Sequence, residues 1–424
     1  MLLLLTVFFG LLIIGVPVFV SLGAASLAYV YFIGHIPAFV VLHRMAGGVD
    51  SFPLIAVPFF ILAGNLMNSA GITNRIFDFA TAAVGWLRGG LGHVNVLASV
   101  IFAGMSGAAV ADAGGLGTIE IKAMRDRGYD DNLSVGITAA SSTIGPIMPP
   151  SLPMVVFGVM ANVSIGQLFA AGFIPGLLMA FALMLYVTWY SHRKGIGRDQ
   201  AFRVTTLGRT FVSAVPALMT PVIIIGGMSS GAFTPTEAAI AACAWALLLG
   251  FVFYRTLTFR RFYKISIQTI ETTASVLIIV AAASLFSWVL TVTQVTTLVT
   301  NFLLGVSDNP LIILLIINIL VLIVGCFMET IAAISILVPV LMPVVVHVGI
   351  DPVQFGVIMV LNLMIGLLTP PVGMVLFVLS RISGLSVEKT IRATAPFLIP
   401  LLLVLAAISI FPSITLYLPT LWYR

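Results

Sequence analysis

Two short segments of the chain combine polar oxygens with helix-breaking residues, a combination that can bind a small cation. The first segment carries three hydroxyls, a glycine and three prolines: Ser141, Ser142, Thr143, Gly145, Pro146, Pro149 and Pro150. The second carries an amide, a glycine, a hydroxyl and two prolines: Asn362, Gly366, Thr369, Pro370 and Pro371. Proline and glycine interrupt a helix and free its carbonyl oxygens. Hard cations such as Na+ prefer oxygen ligands of this kind.

Two acidic residues in apolar surroundings are further candidates. Asp112 follows the small-residue cluster 104–109, and Glu329 lies in a similar cluster over 325–330. An ionisable group inside a membrane is costly and is functional by default. Either carboxylate could bind sodium, lower the barrier to its entry or carry a proton. The structural alternative is a buried carboxylate that accepts backbone N–H bonds at a hairpin tip.

These residues define two candidate sodium sites and one set of candidate substrate contacts. The first sodium site would use Ser106, Asp112, Ser141, Ser142, Thr143 and Gly145. The second would use Gly325, Glu329, Thr330, Asn362, Gly366 and Thr369. The substrate would lie against Gly107, Ala108, Pro149, Pro150, Pro370 and Pro371. The alternative for each Ser and Thr is a hydrogen bond back to its own helix.

The composition places these segments in a membrane. Of the 424 residues, 60% are apolar and 8% are charged, whereas soluble domains carry roughly 25% charged residues. The net charge of +5 comes from short basic clusters between apolar runs, as in cytoplasmic loops. We therefore expect a polytopic membrane protein. No nucleophile–base pair or His/Cys metal cluster favours an intramembrane enzyme.

A gap-free shift of 221 residues aligns the helix breakers of the two segments. The shift pairs Gly104 with Gly325, Gly145 with Gly366, Pro149 with Pro370 and Pro150 with Pro371. The basic residues do not align: Lys122, Arg125, Arg127, Arg381, Lys389 and Arg392 all have apolar counterparts. Because Lys and Arg mark cytoplasmic loops, the two repeats should be inverted relative to each other. Inverted repeats with paired broken helices are typical of secondary transporters, whereas a channel would need a continuous polar path.

The order of apolar segments completes the expected topology. Residues 2–33 should form the first span, kinked at Pro17, rather than a removable signal peptide. Re-entrant hairpins should have their tips near residues 104–109 and 325–330. A last span over 394–415 would place the C-terminus on the outer, periplasmic side of the membrane.

Three further residue groups favour structural roles. Thr234, Pro235 and Glu237 fit a capped helix start. Cys243 and Cys326 fit small core residues rather than a disulfide. Glu120 is ambiguous, since it could reach the basic residues 122–127.

Several motifs together resemble the large membrane (permease) subunit of a tripartite ATP-independent periplasmic (TRAP) transporter. They are PFFILAGNLM at 58–67, SGAAVAD at 106–112, PPS at 149–151, TPTEAA at 234–239 and TPPVG at 369–373. The similarity runs over nearly the whole chain. It implies an all-α polytopic fold of the ion transporter superfamily, with two re-entrant hairpins and two unwound helices.

The resemblance also implies a division into scaffold and transport parts. Scaffold helices are expected over 1–90, scaffold and connecting helices over 165–305, and a C-terminal helix over 386–424. The transport domain would comprise the first hairpin and broken helix over 91–164 and the second pair over 306–385. Sliding of this domain against the scaffold is an elevator mechanism.

The implied function is sodium-driven import of an organic anion across the bacterial inner membrane. C4-dicarboxylates, related carboxylates and sialic acid are the expected substrates, with two or more co-transported Na+ ions. The expected partners are a small four-helix membrane subunit and a periplasmic substrate-binding protein. The alternative is a stand-alone sodium/anion symporter that works without a binding protein.

The hairpin tips depart from a related pattern. In sodium/dicarboxylate symporters, which the chain resembles more distantly, Ser-Asn-Thr tips hold sodium. Here the tips read Met105-Ser106-Gly107 and Met328-Glu329-Thr330, which favours backbone carbonyls as ligands. Hairpin N–H groups could hold the substrate carboxylate, as could Arg381 if it faces inwards.

Overall fold

The structure, a computed structural model, describes residues 2–34 and 36–423, with the backbone only for residues 34, 38 and 104–106. Every α-helix and shorter helical turn in these ranges is apolar or amphipathic, and no named strand occurs among them. The first half contains α1 Leu2–Ile13, α2 Val18–Tyr29, α3 Ala38–Val49, α4 Ala56–Ser69, α5 Ile72–Val84, α6 Gly90–Ser106, α7 Ala109–Asp126, α8 Asp131–Ser142, α9 Leu152–Ala161 and α10 Ile165–Lys194. The second half contains α11 Val204–Ser229, α12 Pro235–Leu248, α13 Phe259–Val292, α14 Val295–Val306, α15 Pro310–Phe327, α16 Thr330–His347, α17 Pro352–Gly366, α18 Met374–Ser383, α19 Val387–Ile410 and α20 Ser413–Trp422.

The lengths of these helices confirm a multi-pass membrane protein. Eight helical segments of the described chain are long and apolar enough to cross a bilayer, for which about 20 residues suffice. They include α10, α11, α13 and α19, as well as the 18-residue helices α15 and α16. The remaining helices are shorter, and several are halves of an interrupted span.

The predicted single span over residues 2–33 is wrong. The chain turns between α1 and α2, which pack against each other as two 12-residue helices. Gly15 has φ +87°, a conformation that glycine adopts without steric cost. Pro17 then disfavours helical geometry at the residue before it. Together they produce a turn where sequence reasoning expected a kink.

The repeat extends well beyond the segment in which the sequence reveals it. Shifted by 221 residues, α5 falls on 293–305, beside α14, and α10 falls on 386–415, beside α19. The same shift carries the π-helical turn Val30–Gly34 close to the π-helical turn Leu249–Phe253. Helices α3 and α4 together correspond to the single helix α13. The two halves therefore share one order of elements.

Each repeat contains a helical hairpin and a broken helix. Helices α6 and α7 form the first hairpin, and α15 and α16 form the second. The breaks lie between α8 and α9 and between α17 and α18, and each contains a cis Pro-Pro bond, Pro149-Pro150 and Pro370-Pro371. Helix α7 packs against α18 and α9 against α16, so each hairpin contacts the broken helix of the other repeat.

The two ends of the helical bundle differ in charge. At one end the hydroxyl of Thr256, which lies among basic residues, donates to the carbonyl oxygen of Ala70 at 3.1 Å. At the opposite end the hydroxyl of Thr236 donates to the carbonyl oxygen of Phe52 at 3.4 Å. These contacts orient α4, α12 and the start of α13. The basic stretch that contains Arg255, Arg260 and Arg261 therefore lies at the end where α4 finishes, where Arg75 also packs over the ring of Tyr254.

Candidate functional site

Both hairpin tips and both helix breaks open into one cavity of about 500 Å³. The first tip contributes residues 107–110, and the second contributes residues 329–332. The breaks and their flanks contribute Pro146, Leu152, Met364, Leu367 and Met374. The opposite wall comes from residues 17–19 at the start of α2 and from one face of α13. The cavity is the meeting point of all four non-helical elements.

The hydroxyls of the first predicted sodium site are buried and already donate hydrogen bonds. Ser141 Oγ donates to Asn95 Oδ1 at 2.6 Å. Ser142 and Thr143 donate to carbonyls of their own helix, at 2.8 and 2.6 Å. These bonds leave oxygen lone pairs as acceptors. Gly145 is buried in the break, while the side chain of Ser106 lies outside the described residues.

Asn95 is a member of this group that sequence reasoning missed. It is fully buried on α6, and its Nδ2 donates to Thr138 Oγ1 at 2.7 Å. A lone amide in an apolar helix was the available signal. Asn95 links the first hairpin to α8.

Two of the three carboxylates on α7, those of Asp112 and Glu120, are buried. Neither oxygen of Asp112 has a hydrogen-bond partner among the described residues, and Oε1 of Glu120 also lacks one. Asp112 lies in the first turn of its helix, where the helix dipole favours negative charge. Glu120 does not pair with the neighbouring basic residues. Instead Arg125 pairs with Asp131 at 2.7 Å and Arg127 with Asp199 at 3.7 Å.

The second predicted sodium site includes a buried amide with a free oxygen. Asn362 Nδ2 donates to the carbonyl and side-chain oxygens of Asn318, at 2.8 and 2.9 Å. Its Oδ1 is buried and unpartnered among the described residues. Thr369 Oγ1 donates to the carbonyl of Ile365 at 2.8 Å. Asn318 is therefore a second supporting amide that sequence reasoning missed.

Glu329 begins a helix while lining the cavity. Its carboxylate accepts from the backbone N–H groups of Ile331 and Ala332, at 2.9 and 3.2 Å. Glu329 therefore forms the hydrogen bonds of the structural alternative, a buried carboxylate that accepts backbone N–H bonds at a hairpin tip. Thr330, the next residue, is buried and also lines the cavity.

Close backbone approaches join the hairpins to the breaks. A Cβ on Gly366 would lie 2.6 Å from the carbonyl carbon of Gly325. A Cβ on Gly107, which has φ +59°, would lie 2.7 Å from the carbonyl oxygen of Pro150. The N–H of Gly373 donates to the carbonyl of Cys326 at 3.2 Å. Glycine is needed where two backbones come this close.

Only two of the six predicted substrate contacts line the cavity. Gly107 and Ala108 line it directly. Pro149 and Pro150 are buried beside the first tip, whereas Pro370 and Pro371 lie in the partly exposed second break. Arg381 is exposed in the last turn of α18 and is not among the residues that line the cavity.

Other sequence predictions about local structure are confirmed. Thr234 and Glu237 form a reciprocal capping box at the start of α12, with Pro235 in its first turn. Cys243 and Cys326 are buried free thiols.

Inverted repeats, paired hairpins and broken helices around one cavity define the fold class of a secondary transporter. The fold is similar to that of the YdaH transporter of Alcanivorax borkumensis, with a TM-score of 0.65 at 14% identity. That match covers 91% of this chain and 90% of the other. At this identity the likeness concerns the fold alone.

The chain belongs to a particular family of transporters. Residues 5–414 match the family described as the DctM component of the tripartite ATP-independent periplasmic transporter. The chain is 49% identical to the sialic acid TRAP transporter large permease protein SiaM of Vibrio cholerae, over 97% of both chains. It is 44% identical to the sialic acid TRAP transporter permease protein SiaT of Haemophilus influenzae, over 97% of this chain and 67% of the relative. The protein is therefore a transporter permease and not an enzyme.

Proposed function

We propose that this chain is the permease of a sodium-driven importer of sialic acid in the bacterial inner membrane. The observation that carries the proposal is the single cavity into which both hairpin tips and both helix breaks open. Paired discontinuous helices from inverted repeats bind substrate and coupling ions in secondary transporters. The substrate class follows from relatives named for sialic acid; C4-dicarboxylates are the second candidate.

Buried oxygens without partners support the sodium sites. Asp112 supplies two such oxygens in the first repeat, and Asn362 supplies one in the second. A buried polar oxygen without a partner is costly, and a bound cation would remove that cost. The carbonyls of the two breaks would complete each oxygen shell.

The start of α7 supports a site for the substrate carboxylate. Residues 107 and 108 lead into this helix at the cavity wall, and a helix N-terminus provides free N–H groups and a favourable dipole for an anion. The start of α16 differs because Glu329 already accepts from its first N–H groups. The carboxylate would therefore bind at the first tip.

The charge distribution supports the orientation and the elevator. The basic loops at the end where α4 finishes would be cytoplasmic, which places the C-terminus in the periplasm. The hairpins and broken helices would move together against a scaffold that includes α4 and α13. A small membrane subunit would pack on the scaffold, and a periplasmic binding protein would deliver the substrate at the opposite end.

Uptake in proteoliposomes tests this function. The vesicles would contain this chain with its candidate small subunit, and an inward sodium gradient would be applied with and without the candidate binding protein outside. We expect sialic acid uptake that requires both sodium and the binding protein. Uptake without the binding protein would indicate a stand-alone symporter, and flux indifferent to sodium would contradict the cation sites.

A further inference from the structure

A second, smaller cavity adjoins the one between the hairpin tips. Its volume is about 220 Å³, and it lies between the first hairpin, α4 and α13. Gly107, Ala108, Leu152 and Thr272 line both cavities. A ligand leaving the tips on this side would therefore pass directly from one cavity into the other.

Helices α4 and α13 place polar groups in this cavity. Asn65 and Asn68, three residues apart on one face of α4, and Thr272 on α13 contribute its polar lining. None of the described lining residues carries a charge. Phe60 and Phe102 supply an apolar wall. Such a lining suits a neutral group that bears hydroxyls or amides, and not a carboxylate.

The existing hydrogen bonds fix which atoms remain for a ligand. Asn65 Nδ2 donates to Thr269 Oγ1 at 3.1 Å, which leaves its carbonyl oxygen as an acceptor. Asn68 Oδ1 accepts from Thr73 Oγ1 at 3.2 Å, which leaves its NH2 group as a donor. Thr272 Oγ1 donates to its own helix at 2.9 Å and keeps lone pairs. The cavity thus offers at least one free donor group and two free acceptors, a set that matches vicinal hydroxyls.

The position of the cavity determines when it can be used. Asn65 and Asn68 lie in the last turns of α4, close to the basic end of the molecule. The amide nitrogen of Asn68 faces the first hairpin, because a Cβ on Gly115 of α7 would lie 3.6 Å from it. In the proposed orientation this is the cytoplasmic side. Side chains on the scaffold helix α4 can contact the substrate only while the hairpins are displaced toward the cytoplasmic side.

We propose that Asn65, Asn68 and Thr272 form a release subsite that binds the neutral, hydroxyl-bearing part of a sugar acid on the cytoplasmic side. This inference rests on the proposed function and extends it. The carboxylate remains at the first hairpin tip while the polyol chain reaches α4 and α13. The subsite selects for a polyhydroxylated acid over a short dicarboxylate, and it acts on release rather than on uptake from the binding protein.

The test separates substrate affinity on the two sides of the membrane. Proteoliposomes with the small subunit are preloaded with increasing sialic acid, and initial sodium-driven uptake is measured with the binding protein added outside only. The binding protein acts only on permease molecules inserted with their periplasmic side toward the outside of the vesicle. Uptake therefore reports on one orientation of insertion. The luminal concentration that halves uptake reports binding from the cytoplasmic side.

Asn68→Leu is the main variant, because leucine nearly preserves the side-chain volume while removing the amide. We expect the luminal half-inhibitory concentration to rise about 3–10-fold, the effect of losing about one hydrogen bond. The external half-saturating concentration should stay unchanged. Thr272→Val should act in the same direction, and Thr272→Ser should restore wild-type inhibition. Asn301→Leu, at an exposed position on α14, is the matched control.

A second probe links the subsite to the polyol. A sialic acid analogue with a shortened glycerol side chain should inhibit the wild type from the lumen more weakly than sialic acid does. This analogue should inhibit Asn68→Leu and the wild type equally. The subsite would be excluded, and the proposed function left intact, by either of two results. One is an equal change in the external half-saturating and the luminal half-inhibitory concentrations. The other is an unchanged luminal half-inhibitory concentration in a variant that still transports. Absence of sialic acid uptake by the wild type would remove the proposed function and this subsite with it.

Discussion

At the scale of single residues, the carboxylate of Asp112 is the group on which the proposed sodium coupling most depends. Both carboxylate oxygens lack, among the described residues, a hydrogen bond that meets the usual geometric criteria, so a charged Asp112 would be stabilised by a bound cation. Asp112→Asn keeps the shape and removes the charge. We expect the half-saturating sodium concentration for uptake to rise about tenfold or more, because a lost charged contact costs about 1.5–3 kcal/mol.

Glu120→Gln is the matched control for that measurement, since Glu120 is also buried on α7 and lies two turns further along. Its sodium dependence should remain that of the wild type. An unchanged sodium requirement in Asp112→Asn would exclude Asp112 from the cation site. Membrane levels of both variants would show whether each protein folds.

At the scale of elements, the crossing of the second hairpin and the second break depends on two glycines. A Cβ on Gly366 would meet the Gly325 backbone at 2.6 Å, and neither backbone can shift without displacing its helix. Gly366→Ala should therefore destabilise the protein by about 1–3 kcal/mol, as overpacking does, and should abolish uptake. Thermal unfolding in detergent and sodium-driven uptake check this.

Gly226→Ala on α11 is the control, because a Cβ there would meet nothing within 4 Å. It should leave stability and uptake unchanged. Wild-type behaviour of Gly366→Ala would mean that the hairpin and the break do not pack this closely.

The loop between α10 and α11 is fastened to the basic end by a buried carboxylate. Asp199 accepts from the backbone N–H of Leu91 at 2.8 Å and from the hydroxyl of Tyr129 at 2.5 Å. Burial, and then these contacts with Asp199, raise the pKa of Tyr129, so its hydroxyl stays protonated and donates. Asp199→Ala should lower the free energy of unfolding by about 1–3 kcal/mol, because it leaves the Tyr129 hydroxyl without its acceptor and leaves the Leu91 N–H only a 3.4 Å bond to that hydroxyl.

Thermal unfolding in detergent measures this loss of stability. Asp308→Ala is the control, because Asp308 is exposed, and this variant should be as stable as the wild type. An Asp199→Ala protein as stable as the wild type would show that the loop is not held by this carboxylate.

The sequence predicts the elements best where residue type dictates backbone geometry. Glycine and proline at a fixed shift of 221 residues identify the hairpins and the breaks, because those residues cannot continue a regular helix. The turn at Gly15 was missed because a glycine two residues before a proline is compatible with either a kink or a reversal of the chain. Asn95 and Asn318 were missed because each bonds to a residue distant in sequence, a pairing that only packing creates.

For the whole molecule, the proposed elevator requires two parts that move past each other. Ala108 at the first tip and Thr272 on α13 line both cavities, yet the proposed elevator assigns them to opposite parts. Cysteines at these two positions, joined by a short thiol cross-linker, should hold the hairpins in the conformation described here. We expect uptake to stop and to recover when a reducible linker is cleaved.

The parent for this experiment replaces the buried thiols Cys243 and Cys326 with alanine and must first retain uptake. Cysteines at Phe52 and Thr236, which contact each other at the opposite end, form the control pair. Both positions belong to the predicted scaffold, so linking them should leave uptake intact. If uptake also survives the link between positions 108 and 272, the hairpins do not slide past α13, and access to the cavity must instead change through local movements of the tips.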